Sequence, residues 1–197
     1  GQFQRDRRLN TQIQYNDSFA NDTLNVLGRL FLGQYRYDNP LVYGGEKTLS
    51  TGPSDWHGAE LRLLSTALSN HKLMAGVEYQ NNTSIKQSFQ NFDHPEDNIA
   101  IKSSVVRVGV YAQDEWRITD TLSATVGLRY DYSAWIGSLG NRLSPRGALI
   151  WQATPKTTFK ALYGRAHRSP NAYERDYTDG ISQVANPGLR VAAIARL

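Results

Sequence analysis

Between Thr121 and Tyr132 the sequence alternates without interruption, and that rhythm limits the possible folds more than composition does. Leu122, Ala124, Val126, Leu128, Tyr130 and Tyr132 fall on one parity; Thr121, Ser123, Thr125, Gly127, Arg129 and Asp131 fall on the other. Successive side chains of a strand point to opposite faces, so this segment carries one apolar and one polar surface. The same period runs through Leu9, Thr11, Ile13 and Tyr15, through Leu73, Ala75, Val77 and Tyr79, and through Val106, Val108, Val110 and Ala112. Phe159, Ala161 and Tyr163 continue it more weakly. Helical spacing fits none of these stretches as well, so the chain reads as all-β.

Eight strands are expected, over residues 3–15, 23–37, 58–68, 73–87, 104–118, 121–135, 144–153 and 157–166. The second is the least regular, because Leu27 and Phe31 share a parity with Asn25 and Arg29. Several of these segments approach 15 residues, against about 5–6 for the usual soluble strand. The connections at 17–22, 69–72, 119–121 and 154–156 are short and rich in turn formers. Those at 38–57, 88–102 and 136–143, and everything after His167, are long and polar. Short and long connections alternate strictly. That is the pattern of an antiparallel up-and-down meander with tight turns at one rim and long loops at the other, as in outer-membrane barrels. No linker or low-complexity tract divides residues 1–197, so one partial barrel domain is expected.

Composition removes other classes. With no cysteine there is no disulfide framework, thiolate metal site or thiol nucleophile. No window approaches the ~18 consecutive apolar residues of a membrane helix. A net charge of +4 gives little support to nucleic-acid binding. The mean hydropathy of −0.53 is that of a soluble protein, and a soluble β-sandwich would also alternate its faces. Three features favour the membrane. Leu, Val and Ala fill mid-strand positions while Trp116, Tyr130, Tyr132, Trp135 and Trp151 stand near strand ends, where interfacial aromatic girdles lie. Turn and loop lengths segregate by side. Strand length also suits a tilted crossing, which needs ~9–11 residues in the bilayer.

The segment Val110-Tyr111-Ala112-Gln113-Asp114-Glu115-Trp116-Arg117-Ile118-Thr119-Asp120, followed by Gly127-Leu128-Arg129-Tyr130-Asp131, resembles a hairpin common in the barrels of TonB-dependent outer-membrane receptors. The resemblance extends over Leu143–Trp151, Phe159–Glu174 and His71–Gln80, covering about residues 58–174. The motifs are specific together and weak singly. The resemblance implies a Gram-negative outer-membrane location and import of a scarce bulky nutrient, a ferric siderophore or cobalamin, driven by the periplasmic TonB system. It also implies a plug domain inside a barrel of roughly 22 strands. Neither a plug nor a TonB box is expected in these 197 residues. Gly1 opens without a signal peptide, Ala193–Leu197 gives no evident terminal strand, and both ends look cut. Asn186-Pro187-Gly188-Leu189 looks like the family's NPxLxPE signature, with Val191-Ala192 where Pro-Glu is expected. The chain is accordingly expected to be a central slice of the barrel.

No enzyme constellation is present: there is no GxSxG, HExxH, Walker loop or dinucleotide fingerprint. His57, His71, His94 and His167 are expected in or beside turns and loops, at no ligand-like spacing, and no metal or cofactor is expected. The acidic run Asp93-His94-Pro95-Glu96-Asp97 lacks the spacing and glycine of a calcium loop. Asp114 sits on the apolar parity, so it is expected at the periplasmic rim, where a carboxylate costs little. Contact there with periplasmic machinery is the functional alternative. Arg107, Arg129, Arg146 and Lys160, on the polar parity, are expected to line the lumen. The resemblance gives them plug contacts, with direct ligand contact as the lesser reading. Tyr35, Tyr37, Tyr43, Trp56, Phe89, Phe92, Tyr173 and Tyr177 are expected in the long loops, where ligand is first met. The main rival is a self-contained eight-stranded structural or adhesive barrel. An outer-membrane protease or lipase is a third class, unsupported by any paired motif.

Overall fold

A computed structural model describes residues 3–134, 142–178, 184–189 and 192–196. Its strands are β1 (Arg5–Phe19), β2 (Leu24–Tyr43), β3 (Glu46–Thr51), β4 (Ser54–Ser65), β5 (His71–Asn91), β6 (Ile99–Arg117), β7 (Leu122–Ser133), β8 (Arg142–Thr154), β9 (Thr157–Arg168) and β10 (Ala192–Arg196), with one short helix, α1 (Ala172–Asp176). All ten strands form one antiparallel sheet. β1 and β10 occupy the two ends of its hydrogen-bonded order, so the strands do not close into an eight-membered ring.

The eight expected strands are all present, with three corrections. The segment 38–57 is not a loop. β2 runs on to Tyr43, turns at Gly44-Gly45, and returns as β3 beside its own outer half. Both glycines have positive φ, 61° and 94°, which suits a tight two-residue hairpin turn. After a break at 52–53, β4 takes over as the neighbour of β2, so β3 and β4 together act as one interrupted strand between β2 and β5. Pro40, Gly44, Gly45 and Pro53 look like loop formers in sequence, yet here they form a hairpin tip and a strand break. Next, β5 and β6 extend to Asn91 and back to Ile99, well into the expected loop 88–102. Finally, residues 192–196 pair with β9 from Ala192↔Arg168 to Arg196↔Gly164. The ladder groups on that side of β9 need partners, and they find them despite the low strand propensity of Ala-Ile-Ala-Arg.

Register determines the two faces, because residues directly opposite in an antiparallel pair project to the same side. Val126 stands opposite Asp114 and Gly147, and Leu128 opposite Ala112 and Pro145. Continuing outward, Ala112 meets Ala75, Ala75 meets Leu63, Leu63 meets Val26 and Val26 meets Asp17. One face therefore carries the apolar parity of every strand, and it is bare: Ile13, Leu30, Leu61, Val110 and Val126 are all exposed. Among the described residues the buried apolar side chains are Leu27, Val105 and Pro170. Leu27 and Phe31, the irregular pair in β2, lie on the polar face, where Phe31 fills the space over Gly58. The accessible surface of 13207 Å² far exceeds the about 9,300 Å² of a compact 22.1 kDa monomer. Among the described residues no second layer covers this face, as a two-layer soluble sandwich would require.

The apolar face ends in aromatic residues at both rims. Trp116 and Trp151 stand at the short-turn rim, with Trp151 stacked on Phe159 at 5.6 Å. Tyr130 and Tyr132 stand towards the long-loop rim. Trp135 lies outside the described residues. From Leu122 to Tyr132 the strand rises roughly 33 Å. At a barrel tilt of ~35–45° that is about 25 Å of height, the thickness of a barrel's apolar band.

The polar face is kept low by glycines. A Cβ on Gly33 would meet the Trp56 ring at 2.2 Å, on Gly76 the Tyr111 ring at 2.4 Å, on Gly109 the Arg129 guanidinium at 2.3 Å, and on Gly127 the Arg146 side chain at 2.7 Å. Large side chains thus lie flat over neighbouring strands. Gly58 is the tightest case, because its added carbon would strike both the Phe31 ring and the Tyr79 carbonyl oxygen at 2.3 Å. The carbonyl belongs to the ladder and cannot rotate away. Gly58→Ala is therefore expected to lower stability by about 1–3 kcal/mol in the full-length protein. Gly28→Ala, on the open face with nothing within 4 Å, stays within about 0.5 kcal/mol of the parent. Reversible urea unfolding in bilayers distinguishes the two; equal midpoints would contradict the close approach.

Candidate functional site

Five of the eight aromatic candidates come together at the long-loop rim. Tyr35 and Tyr37 project from the polar parity of β2, Phe89 from the outer end of β5, and Tyr173 and Tyr177 from α1 and the residue after it. They border a cavity of about 600 Å³ that also takes in Ser54, Ile85, Gln87 and Asn171. Phe89 is thus a strand residue where the sequence puts it in a loop, and Tyr35 and Tyr37, at the end of the expected strand 23–37, lie in a strand that runs on past them. The volume suits a drug-sized ligand, since such sites are about 300–1,000 Å³.

The shape of the cavity depends on how the chain leaves β9. Asn171 accepts a hydrogen bond from the Glu174 backbone NH at 2.8 Å, and Glu174 accepts one in return from the Asn171 NH at 3.0 Å, a complete capping box. Both terminal guanidinium nitrogens of Arg168 donate to the same Glu174 carboxylate, at 3.1 and 2.5 Å. At the far end of α1 the Ser103 hydroxyl donates to Asp176 at 2.6 Å, tying the helix to the polar face of β6. Tyr173 and Tyr177, one helical turn apart, stack at 4.6 Å and present a double ring to the cavity.

The other three aromatic candidates lie elsewhere. Trp56 belongs to β4 and packs flat against the wall over Gly33, with the Arg8 guanidinium 5.5 Å above its ring. Tyr43 ends β2 at the hairpin tip; its side chain lies outside the described part of the chain. Phe92 is exposed in the turn after β5 and does not reach the cavity.

The cationic candidates separate as well. Arg129 is committed within the wall: it bonds Glu78 at 2.7 Å and Asp131 at 2.8 Å, and lies 5.6 Å over the Tyr111 ring. Arg29 pairs with Glu60 at 2.5 Å, and Glu60 also accepts from the Tyr111 hydroxyl at 3.4 Å. Glu60, Glu78 and Tyr111 were not singled out in the sequence; their shared parity with Arg129 was the available signal. Arg107, Arg146 and Lys160 stand on the same polar face and make no ion pair among the described residues.

Of the histidines, His57 and His167 lie within β4 and β9 rather than in loops. Both extend strands whose ends looked polar in sequence. His71 explains Asp114. The two share the apolar face at the short-turn rim, 2.7 Å apart, with His71 stacked on Trp116 at 5.5 Å. A carboxylate on that parity is thus provided with a partner at interfacial depth. No group of three metal-ligating side chains occurs among the described residues.

The acidic run at 93–97 is organised by hydrogen bonds. Asn91 accepts from the backbone NH groups of Asp93 and His94 at 3.0 and 3.1 Å, and Asp93 accepts from the Lys47 NH at 2.7 Å. His94 sits between Glu96 at 3.2 Å and Glu46 at 3.4 Å. The hydrogen bond to Glu96 and the charge of Glu46 raise its pKa above the usual value, while the Glu96 pKa is lowered by its own backbone NH and by His94. A raised imidazole pKa stabilises the loop fully below about 6.5, and that support fades as pH climbs through the raised value. The depressed carboxylate extends the pair towards acid. After correction for intrinsic rates, amide exchange over residues 91–98 is expected to be slower at about pH 5.5 than at about pH 8.5. Glu46→Gln with Glu96→Gln should abolish the difference, and equal protection at both pH values in the parent would contradict the clamp.

Comparison with known proteins agrees with this architecture. The family model described as TonB dependent receptor-like, beta-barrel, matches residues 1–192. No curated protein matches the sequence. Among solved structures, a ferric enterobactin receptor (PfeA) mutant from Pseudomonas aeruginosa in complex with enterobactin superposes with a TM-score of 0.76 at 18% identity, over 98% of this chain and 32% of that one. The copper transporter OprC gives 0.74 at 14% identity over 94% and 34%. The unliganded ferric citrate transporter FecA gives 0.64 at 17% over 82% and 27%. The chain spans about a third of the length of these structures. The apolar face is therefore the lipid-facing side of an outer-membrane barrel wall and the polar face its luminal side, and the chain belongs to the TonB-dependent receptor family through the β-barrel of that family.

Proposed function

We propose that these residues form part of the barrel domain of an active importer, in which the aromatic cavity at the extracellular rim first binds a bulky chelate of the ferric siderophore or cobalamin class. The full-length protein would carry a plug inside the barrel and draw on the TonB system. Of the four cationic candidates, Arg107, Arg146 and Lys160 are left to meet plug carboxylates, while Arg129 serves the wall itself. Solved structures with this barrel are named as receptors and transporters. The observation that carries the proposal is the meeting of Tyr35, Tyr37, Phe89, Tyr173 and Tyr177 around one cavity from three separate parts of the chain.

The donor set bears on the cargo. The cavity offers rings, hydroxyls and amides, with no sulfur or imidazole among its lining residues. The single methionine, Met74, is on the luminal wall near the periplasmic end of β5, and there is no cysteine. Soft cations such as Cu(I) select thiolates and thioethers. A chelate that brings its own ligands and presents a large surface fits these rings better than a bare copper ion.

The test is binding of a panel of ferric catecholate, ferric hydroxamate, ferric citrate and cobalamin to the full-length receptor in detergent. At least one member should bind, and Phe89→Ala with Tyr173→Ala should weaken it by about thirty-fold, the loss of roughly 2 kcal/mol expected for anchor aromatics. Phe92→Ala should leave affinity unchanged. Binding of no panel member, or equal binding by the double variant, would contradict the proposal.

A further inference from the structure

Just beyond the apolar band, at the extracellular rim, the lipid-facing parity carries like charges directly opposite one another. Arg7 of β1 pairs in register with Arg36 of β2, and Lys86 of β5 with Lys102 of β6. Ser103, next to Lys102, faces the lumen, where its hydroxyl meets Asp176; alternation therefore turns Lys102 and its partner Lys86 outward. Residues 85–89 all border the aromatic cavity, with Ile85, Gln87 and Phe89 on its side and Lys86 and Ser88 on the other. Like charges directly opposite on a sheet destabilise it. Two carboxylates offset part of the cost, Asp38 at 3.1 Å from Arg7 and Asp55 at 2.8 Å from Arg36. Lys86 and Lys102 are both exposed and have no ion pair among the described residues. The wall therefore keeps a net positive strip on its outer surface.

Height identifies what faces that strip. Arg7 comes two residues beyond Leu9, Arg36 four beyond Leu32 and Lys102 four beyond Val106, the last aliphatic side chains on the lipid-facing parity before each charge. At ~3.3 Å per residue, less for tilt, the charges sit within roughly 7–13 Å of the hydrocarbon edge. That is the depth of lipid headgroups. The outer leaflet of a Gram-negative outer membrane consists of glycolipid whose sugar headgroup carries phosphates. We infer that Lys86 and Lys102, flanked by Arg7 and Arg36, form a binding site on the outside of the barrel for the phosphates of that glycolipid. Guanidinium and ammonium groups are the usual phosphate partners, and a bound phosphate would relieve the repulsion between the paired cations. The inference rests on the outer-membrane placement of the barrel and not on the nature of the imported ligand.

The test uses the full-length receptor in detergent, with bisphosphorylated lipid A as the probe and native mass spectrometry as the readout. Lys86→Gln with Lys102→Gln should weaken binding roughly thirty-fold, about 1 kcal/mol for each cation removed. Lys86→Arg with Lys102→Arg should retain it. Lys156→Gln, in the turn at the opposite rim, should change nothing. Lipid A stripped of its phosphates should bind the parent as weakly as the phosphorylated form binds the glutamine variant. Heat-modifiable gel mobility of every variant reports barrel assembly, and so the membrane placement, separately from lipid affinity. Undiminished binding by the assembled glutamine variant, an equal loss in Lys156→Gln, or equal affinity for dephosphorylated lipid A would overturn the inference. Displacement of lipid A by equimolar inorganic phosphate would overturn its assignment to the glycolipid in favour of a free anion.

Discussion

Everything in this wall depends on the backbone hydrogen-bond ladder. Hydrocarbon offers no partner for an unpaired amide, so a chain that crosses it in strands must satisfy each group from its neighbours. Once strands run side by side, the two-residue side-chain period leaves one face for lipid and one for the lumen, and a one-residue slip would exchange them. That is why the apolar parity stays in phase from β1 through β2 and β4 to β9, and why the three register shifts, at 55–56, 82–85 and 152–154, lie close to strand ends or outside the band. Stability here does not come from a buried core, since almost none exists. It comes from the ladder and from the solvents on either side.

The luminal face shows how a thin wall handles large polar side chains. Glycines at 33, 76, 109 and 127 remove the Cβ atoms that would lift Trp56, Tyr111, Arg129 and Arg146 away from the sheet. Pressed flat, Arg129 reaches Glu78 two strands away, across β6, as well as Asp131 on its own strand. Arg29 and Arg129 are thus neutralised within the wall, while Arg107, Arg146 and Lys160 on the same face make no ion pair among the described residues. At the extracellular end the balance changes: aromatic rings gather inside, and uncompensated cations gather outside.

The class of fold, the eight long strands, their facing and the two girdles were legible in the sequence because period-2 alternation is a local signal repeated many times. Less legible were features that depend on partners. Gly44-Gly45 and Pro53 signal a break in any context, and only pairing with β2 and β5 shows that β3 is sheet. Ala192–Arg196 carries no pattern of its own and becomes a strand because β9 has an edge to fill. Aromatic type and a place in or beside the long polar segments bring in the five residues that meet at the cavity. Those signals do not separate the five from Trp56, whose place over Gly33 is a cross-strand relation, or from Phe92, which a chain reversal turns outward. The partner of Asp114 was equally hidden, since His71 lies 43 residues earlier and meets it only in register.

The central claim is that residues 122–132 alternate between hydrocarbon and lumen. The 197 residues contain no cysteine, so single cysteines can be introduced along β7 of the full-length receptor and labelled with nitroxide in bilayers. Collision rates with oxygen, which partitions into lipid, and with a water-soluble nickel chelate then report each position. The account predicts a two-residue period, with oxygen access high at 122, 124, 126, 128 and 130, low at the intervening positions, and greatest near 126. Uniform access along the strand, or water-like access at 126, would contradict it.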